Sequence, residues 1–211
     1  SISWLLEYAN PLIKVTIVPR GRALGAAWYL PEERQITTKE QMLDEMCATL
    51  GGRAAEDLFL GRMSTGAMND LERVTKQAYG MIAYLGMSEK LPNLCYYNNE
   101  EYSFNRPYSE KTAELIDEEV KQMVNEQYER AKKILSENQE GHNRLAQLLI
   151  DKEVIFAEDV EHIFGKRPWA SRSEEISANK TAAELKKAEQ EEEQKAIEAE
   201  KEVKEEEKHE K

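Results

Sequence analysis

The sequence predicts a mainly α-helical fold: a helical bundle with a small β element of two or three strands, plus a charged carboxy-terminal tail. Three long segments carry apolar residues at spacings of three and four, which is the period of one buried helix face. Two short runs near the amino terminus are rich in β-branched, alanine and aromatic residues and are separated by a glycine-containing turn, as in paired strands. Regular apolar spacing ends near Trp169, and Glu and Lys dominate the remaining residues.

The amino-terminal region predicts the end of a helix followed by two strands. Residues 1–8 carry an apolar set typical of the last turns of a helix, and Asn10-Pro11 ends it. Residues 14–18 alternate β-branched side chains and predict one strand. Residues 25–30 predict its partner after the glycine-containing turn.

A capping box predicts the start of the first long helix. Thr37 is the expected N-cap, and Glu40 lies three residues later. Two consecutive glycines, Gly51 and Gly52, would weaken an isolated helix by roughly 1 kcal/mol each, which suggests close backbone packing or an approach to a site. The expected buried face comprises Met42, Leu43, Met46, Cys47, Leu50, Ala54, Leu58 and Phe59.

Two further long helices and two short ones follow. The second long helix is expected to open at Asn69 or Asp70 and to end near Gly86, and residues 94–97 suggest a short strand. Ser109 is the expected cap of the third long helix, which runs to about Glu137, and residues 141–149 and 157–164 predict shorter helices. The expected inward residues are Leu71, Val74, Ala78, Met81, Ile82 and Leu85 on the second long helix, and Leu115, Ile116, Val120, Met123, Val124, Tyr128, Ala131, Ile134 and Leu135 on the third.

Composition excludes some functions. The formal net charge is −12, and no large basic cluster is present, which argues against nucleic-acid binding. No apolar run approaches the roughly 18 to 20 residues that cross a bilayer. We therefore divide the chain into a folded domain, residues 1–168, and a Glu/Lys-rich tail, residues 169–211, which is expected to be disordered or a frayed helix.

Asp70 is the first candidate for a functional role. It lies in the sequence Thr65-Gly66-Ala67-Met68-Asn69-Asp70, at the opening turn of a strongly periodic helix. A carboxylate there can stabilise the helix dipole, which is worth roughly 0.3 to 1 kcal/mol. It can also hold a metal ion.

Three sequence blocks together resemble the peptidase domain of the FtsH family, the membrane-anchored, ATP-dependent AAA zinc metalloproteases. They are the block that ends at Asp70, Gly51-Gly52-Arg53-Ala54-Ala55-Glu56, and Lys14-Val15-Thr16-Ile17-Val18-Pro19-Arg20-Gly21-Arg22-Ala23-Leu24-Gly25. The resemblance implies that Asp70 is the third zinc ligand.

The resemblance also implies roles for two neighbouring segments. Glu56 would lie near the zinc and orient a ligating histidine. A salt bridge from Glu56 to Arg53 or Lys39 is the alternative.

The strand containing Gly25, Ala26, Ala27 and Trp28 would pair with an extended substrate through main-chain hydrogen bonds. An inner strand that buries Trp28 is the alternative.

The other zinc ligands of this family are not found in the sequence. Zinc peptidases of this kind use His-Glu-x-x-His, with two histidines one helical turn apart and the glutamate as general base. The three histidines here, His142, His162 and His209, do not have that spacing, and ordinary surface or partly buried roles are expected for His142 and His162. By resemblance the motif would end a few residues before Ser1, so we interpret the sequence as a fragment that is inactive alone.

The remaining expectations follow from the resemblance alone. The parent protein would degrade unfolded or membrane proteins as a homohexamer, with ATP bound by a missing upstream module. A missing amino-terminal segment would anchor it at the cytoplasmic face of a bacterial inner membrane. The alternative is a non-catalytic oligomerisation module of a pseudopeptidase, in which the apolar residues between Leu115 and Leu135 pack between subunits. An intramolecular core explains those residues equally well.

Overall fold

The structure is a computed structural model that describes residues 1–19, 25–30, 36–96 and 107–169. Most of these residues lie in helices. The elements are α1 (Ile2–Leu5), β1 (Leu12–Thr16), β2 (Ala26–Tyr29), α2 (Lys39–Thr49), α3 (Gly51–Ala55), a π-helical turn (Glu56–Leu60), a 3₁₀ turn (Thr65–Ala67), α4 (Met68–Ala83), α5 (Glu110–Glu137), α6 (Gln139–Lys152), β3 (Val154–Phe156) and α7 (Ala157–Phe164). Ser1–Arg167 form one compact unit. These elements confirm a mainly helical fold with a small sheet. The predicted tail lies outside the described residues from Ala170 onward.

The sheet in the described part of the chain has three antiparallel strands in the order β2-β1-β3. The central strand, β1, pairs Thr16 with Ala26 on one side and with Val154 on the other. The prediction of two or three strands is therefore confirmed, although β3 itself was missed. With β1 in the centre, β2 is an outer strand of this sheet.

The first strand lies two residues earlier than predicted. The Thr16 hydroxyl donates to the Glu153 carbonyl oxygen at 3.0 Å and accepts from the Val18 backbone nitrogen at 3.1 Å. The Ile17 backbone nitrogen still donates to the Glu153 carbonyl oxygen at 3.0 Å, but the strand itself ends at Thr16. The predicted partner strand is confirmed as β2.

The first long helix has the predicted kind of cap, but at the next residue. Thr38 is the N-cap, and its hydroxyl accepts from the Gln41 backbone nitrogen at 3.3 Å. The Gln41 side chain accepts in return from the Thr38 backbone nitrogen at 2.8 Å. The predicted box of Thr37 and Glu40 is therefore wrong by one residue.

Gly51 and Gly52 begin α3, and Gly51 lies against Ile2 of α1. A Cβ atom added at Gly51 would lie only 2.9 Å from the Ile2 Cδ1 atom, so close packing is found at Gly51, whereas a Cβ atom at Gly52 would have no atom within 4 Å. The π-helical turn then changes the phase of the helix. As a result Leu58, expected on the buried face, is 38% exposed.

Most of the predicted inward faces form the core. The buried residues on α2, α3, α4 and α5 include Met46, Cys47, Leu50, Ala54, Val74, Ala78, Met81, Ile82, Ile116, Met123, Ala131 and Leu135. Leu85 is an exception at 54% exposure, because α4 ends at Ala83. The apolar residues of α5 between Leu115 and Leu135, which could also have packed between subunits, pack within this chain. None of the described helices combines the length and apolar character needed to cross a bilayer.

The strand predicted at residues 94–97 is wrong for its described part. The Tyr96 backbone nitrogen donates at 2.7 Å to the carbonyl oxygen of Ala83 at the end of α4, and not to a strand. Tyr97 and the polar loop around Asn98 lie outside the described residues. The predicted cap of α5 is confirmed, since the Ser109 hydroxyl accepts from the Thr112 backbone nitrogen. The predicted bounds of α7 are also confirmed.

Candidate functional site

Asp70 lies in the first turn of α4, directly after a tight turn that fixes its position. The Ser64 hydroxyl accepts from the Gly66 backbone nitrogen at 3.1 Å and so caps the 3₁₀ turn, and Ala67 is buried at the junction with α4. The N-cap of α4 is Ala67, which has no capping side chain. Asp70 is half-buried.

The Asp70 carboxylate has no hydrogen-bond or ion-pair partner among the described residues. The nearest candidate by sequence, Arg73, lies one helical turn later and instead donates to Glu45 at 2.7 Å. A half-buried carboxylate near a helix amino terminus is stabilised by the dipole. It remains free to bind a cation.

Asp70 faces a cleft of about 450 Å³ that is also lined by the predicted substrate strand. The lining residues are Ser3, Ala9, Asn10, Gly25, Ala27, Tyr29, Glu45, Ala48, Thr49, Asp70 and Arg73. Three of them, Gly25, Ala27 and Tyr29, alternate along the strand segment and therefore lie on one face of it. The structure thus brings Asp70 and this face into one cavity.

The other two predicted strand residues do not line the cleft. Ala26 and Trp28 occupy the alternate positions of β2, and Lys14 Nζ lies 4.6 Å from the centre of the Trp28 ring. Trp28 is half-buried on an outer strand, so the alternative of an inner strand that buries it does not describe this sheet. The main-chain groups on the far edge of β2 are where an added strand would pair.

Glu56 lies outside this cleft and holds the loop that leads to Asp70. Its carboxylate accepts from the Ser64 hydroxyl, from the Ser64 backbone nitrogen at 3.2 Å and from Arg53 Nη1 at 3.3 Å. The hydrogen bonds from Ser64, that of the hydroxyl first, hold the pKa of the Glu56 carboxyl below its usual value. The alternative pairing with Arg53 is present; the pairing with Lys39 is not among these contacts.

Of the two described histidines, His142 is half-buried and His162 is exposed. His142 stacks on Phe59 with ring centroids 4.7 Å apart, and its Nδ1 lies 3.0 Å from the Ser1 hydroxyl. Burial lowers the pKa of His142. His162 is in the last turn of α7, and His209 lies outside the described residues.

Asp70 fits a zinc site as one oxygen ligand, and the described residues do not complete the set. Structural and catalytic zinc sites take three or four protein ligands. Within the described ranges, no three His, Cys, Asp or Glu side chains come together to hold a metal ion.

Sequence reasoning missed the cleft residues of α2. Glu45, Ala48 and Thr49 line the cavity, but the spacing of apolar residues predicts only the buried face of that helix. The signal available was the small size of Ala48 and Thr49, two adjacent residues of α2 that line the cleft. Arg73 could have been noted because it lies three residues after Asp70, on the same helix face.

Comparison with known proteins places these residues in one family. The profile described as peptidase family M41 matches residues 1–163. An "ATP-dependent zinc metalloprotease FtsH" from Parabacteroides distasonis is 72% identical over 178 residues, which is 83% of this chain and 26% of that protein. A second protein of that name, from Karelsulcia muelleri, is 52% identical over 165 residues, 77% of this chain and 26% of that protein.

A more distant relative is the "Mitochondrial inner membrane m-AAA protease component AFG3L2" of Mus musculus. It is 44% identical over 172 residues, which is 81% of this chain and 21% of that protein. The chain thus spans about a quarter of the length of the curated relatives that it matches.

Proposed function

Because the chain belongs to peptidase family M41, we propose that it is part of an ATP-dependent zinc endopeptidase in which Asp70 is the third zinc ligand. Relatives that match most of the chain are named as zinc metalloproteases. The observation that carries the proposal is that the Asp70 carboxylate, which has no partner among the described residues, lies in the same cleft as one face of the β2 segment.

The other zinc ligands and the general base are supplied, in this proposal, by residues outside this sequence. The sequence has three histidines, and none of them is four residues from another. A bound zinc ion would polarise the scissile carbonyl and lower the pKa of a bound water to about 7. Without its other ligands this chain would not hydrolyse peptides alone.

The substrate would lie extended along the edge of β2 that no other described strand pairs with. Main-chain hydrogen bonds to a strand edge hold a peptide with little dependence on its sequence, which suits the processive degradation of unfolded or membrane proteins. Gly25 and Ala27 present little side-chain bulk toward the cleft. Their role would be to let the peptide bond approach Asp70.

The remaining features of the parent are proposed from the family. ATP would bind a module outside this sequence and drive unfolding, and the parent would be a homohexamer. It would be held at the cytoplasmic face of the inner membrane by a segment outside this sequence. The net charge of −12 agrees with the absence of a nucleic-acid partner from this proposal.

The test compares Asp70→Asn with Glu158→Gln in the full-length parent protein. Both residues are acidic and lie in the first turn of a helix, but Glu158 is exposed on α7, away from the cleft. We expect Asp70→Asn to lose zinc and ATP-dependent degradation of unfolded casein, and Glu158→Gln to keep both. Wild-type zinc content and degradation in Asp70→Asn would refute the ligand assignment.

A further inference from the structure

Arg73 and Glu45 form an ion pair within the cleft, between α4 and α2. Arg73 Nη2 donates to Glu45 Oε1 at 2.7 Å, and the two side chains are 58% and 45% exposed. Both residues line the cavity that contains Asp70. The proposed zinc-ligand function does not use this pair.

Both carboxylate oxygens of Glu45 accept hydrogen bonds, whereas most N–H donors of Arg73 have no partner among the described residues. Glu45 Oε1 accepts from Arg73, and Glu45 Oε2 accepts at 3.5 Å from Gln77, which also donates to the Met42 carbonyl oxygen at 3.2 Å. The Arg73 guanidinium has five N–H donors, and only its Nη2 has a partner among the described residues. The pair therefore presents to the cleft a cation whose remaining donors have no partner in the described part of the chain.

The position of Arg73 places those donors beside the route of a substrate. Arg73 follows Asp70 by three residues, so the two lie on one face of α4. A peptide paired with β2 would direct alternate side chains toward the face formed by Gly25, Ala27 and Tyr29. Those side chains would enter the cavity that Arg73 lines.

We propose that Arg73, positioned by Glu45, is a specificity-determining residue that favours an acidic side chain in the segment of substrate that occupies this cleft. This inference rests on the proposed function. A carboxylate can accept two parallel N–H bonds from the guanidinium, whereas a glutamine side chain offers one neutral acceptor and a lysine is repelled. Because the site is partly exposed, the expected preference for Glu over Gln is modest, about fivefold.

The experiment uses the full-length parent protein and fluorogenic peptides that differ at one position. That position carries Glu, Gln or Lys and is moved along the residues on both sides of the scissile bond. The Glu-to-Gln ratio of kcat/KM is measured for wild type, Arg73→Gln and Arg73→Lys. Arg144→Gln is the matched control, because Arg144 forms a similar exposed pair with Glu140 at 2.6 Å on α6, outside the cleft.

We expect one peptide position at which the ratio falls from about fivefold to near one in Arg73→Gln. Arg73→Lys should keep part of the preference, since it retains the positive charge, and Arg144→Gln should keep all of it. The loss should appear mainly as a higher KM for the Glu peptide. Thermal unfolding of each variant shows that the effect is not loss of fold.

Two other results would overturn the inference. A Glu-to-Gln ratio that is unchanged in Arg73→Gln at every position, with active enzyme, would refute the role of Arg73 and leave the proposed function intact. No cleavage of any peptide by the zinc-loaded wild-type parent would refute the proposed function, and this inference with it.

Discussion

Glu56 accepts two hydrogen bonds from Ser64, one from its backbone nitrogen at 3.2 Å and one from its hydroxyl group. Ser64 in turn caps the turn that leads into α4. Glu56 thus ties the π-helical turn to the segment that positions Asp70. Its role in the structure is to hold the loop in place.

We predict that Glu56→Gln loosens this loop and makes stability less dependent on pH. The pKa of Glu56 is lowered in the folded state, so its contribution is complete above the ordinary Glu pKa of about 4.3. It is lost as the pH falls through the lower pKa of the folded protein. The measurement is the difference in Tm between wild type and Glu56→Gln from neutral to acidic pH.

Glu72→Gln is the control for this prediction. Hydrogen bonding to Lys76 also lowers the pKa of Glu72, but on the exposed surface of α4. Both variants should be less stable than wild type at neutral pH and approach it in acid, and only Glu56→Gln should speed hydrogen exchange at the Ser64 and Gly66 amides. Equal exchange in both variants would contradict a loop-holding role.

We predict opposite effects for alanine at two glycines. A Cβ atom at Gly25 would lie 2.7 Å from the Thr16 carbonyl oxygen, so Gly25→Ala must displace β2 and should cost about 1 to 3 kcal/mol. Gly52 has no atom within 4 Å of that position and lies within α3, so Gly52→Ala should gain roughly 0.5 to 1 kcal/mol. Urea denaturation measures both, and a stabilising Gly25→Ala would contradict the close approach of β1 and β2.

Much of the fold could be predicted because its signals are local. Ser109 begins α5 as expected, since one polar cap precedes a long periodic segment. Thr37 and Thr38 could not be separated, because each has a possible partner three residues later. The strand Val154–Phe156 was missed because three residues are too few to show alternation, and its partners on β1 are distant in sequence.

In the candidate site, too, a local sequence signal identifies some residues, and only tertiary packing brings the others together. Asp70 could be named from its surrounding sequence, because the motif is contiguous. Glu45 and Arg73 could not, because their pairing depends on the packing of α2 against α4. The turn of the chain at Tyr96 could not be predicted either, because it depends on a hydrogen bond from the Tyr96 backbone nitrogen to the Ala83 carbonyl oxygen at the end of α4.

We predict that the pair of Asp44 and Arg130 is a structural necessity. The Asp44 side chain is 4% exposed, accepts from Arg130 Nη2 at 2.7 Å and accepts from the Tyr8 backbone nitrogen at 2.9 Å. Asp44→Ala should destabilise the protein by roughly 2 to 3 kcal/mol, because it leaves these donors without their acceptor. In urea denaturation Asp151→Ala, at an exposed residue of α6, should cost less than about 0.5 kcal/mol, and equal losses would contradict the assignment.

We predict that the two thiols differ sharply in reactivity. Cys47 is fully buried, and burial raises the pKa of its thiol to about 11, whereas Cys95 is exposed. Mass spectrometry after brief alkylation near pH 8 should find Cys95 modified and Cys47 protected, with both modified in urea. Rapid native labelling of a Cys95→Ser variant would show that Cys47 is accessible, against the packing described.

The position of zinc in the full-length parent tests the central claim most directly. We predict that anomalous diffraction at the zinc edge gives one peak in the cleft, with an Asp70 carboxylate oxygen about 2.0 to 2.2 Å from it. The same measurement on Asp70→Asn should show a weakened or absent peak. A fully occupied zinc ion bound without Asp70 would contradict the account.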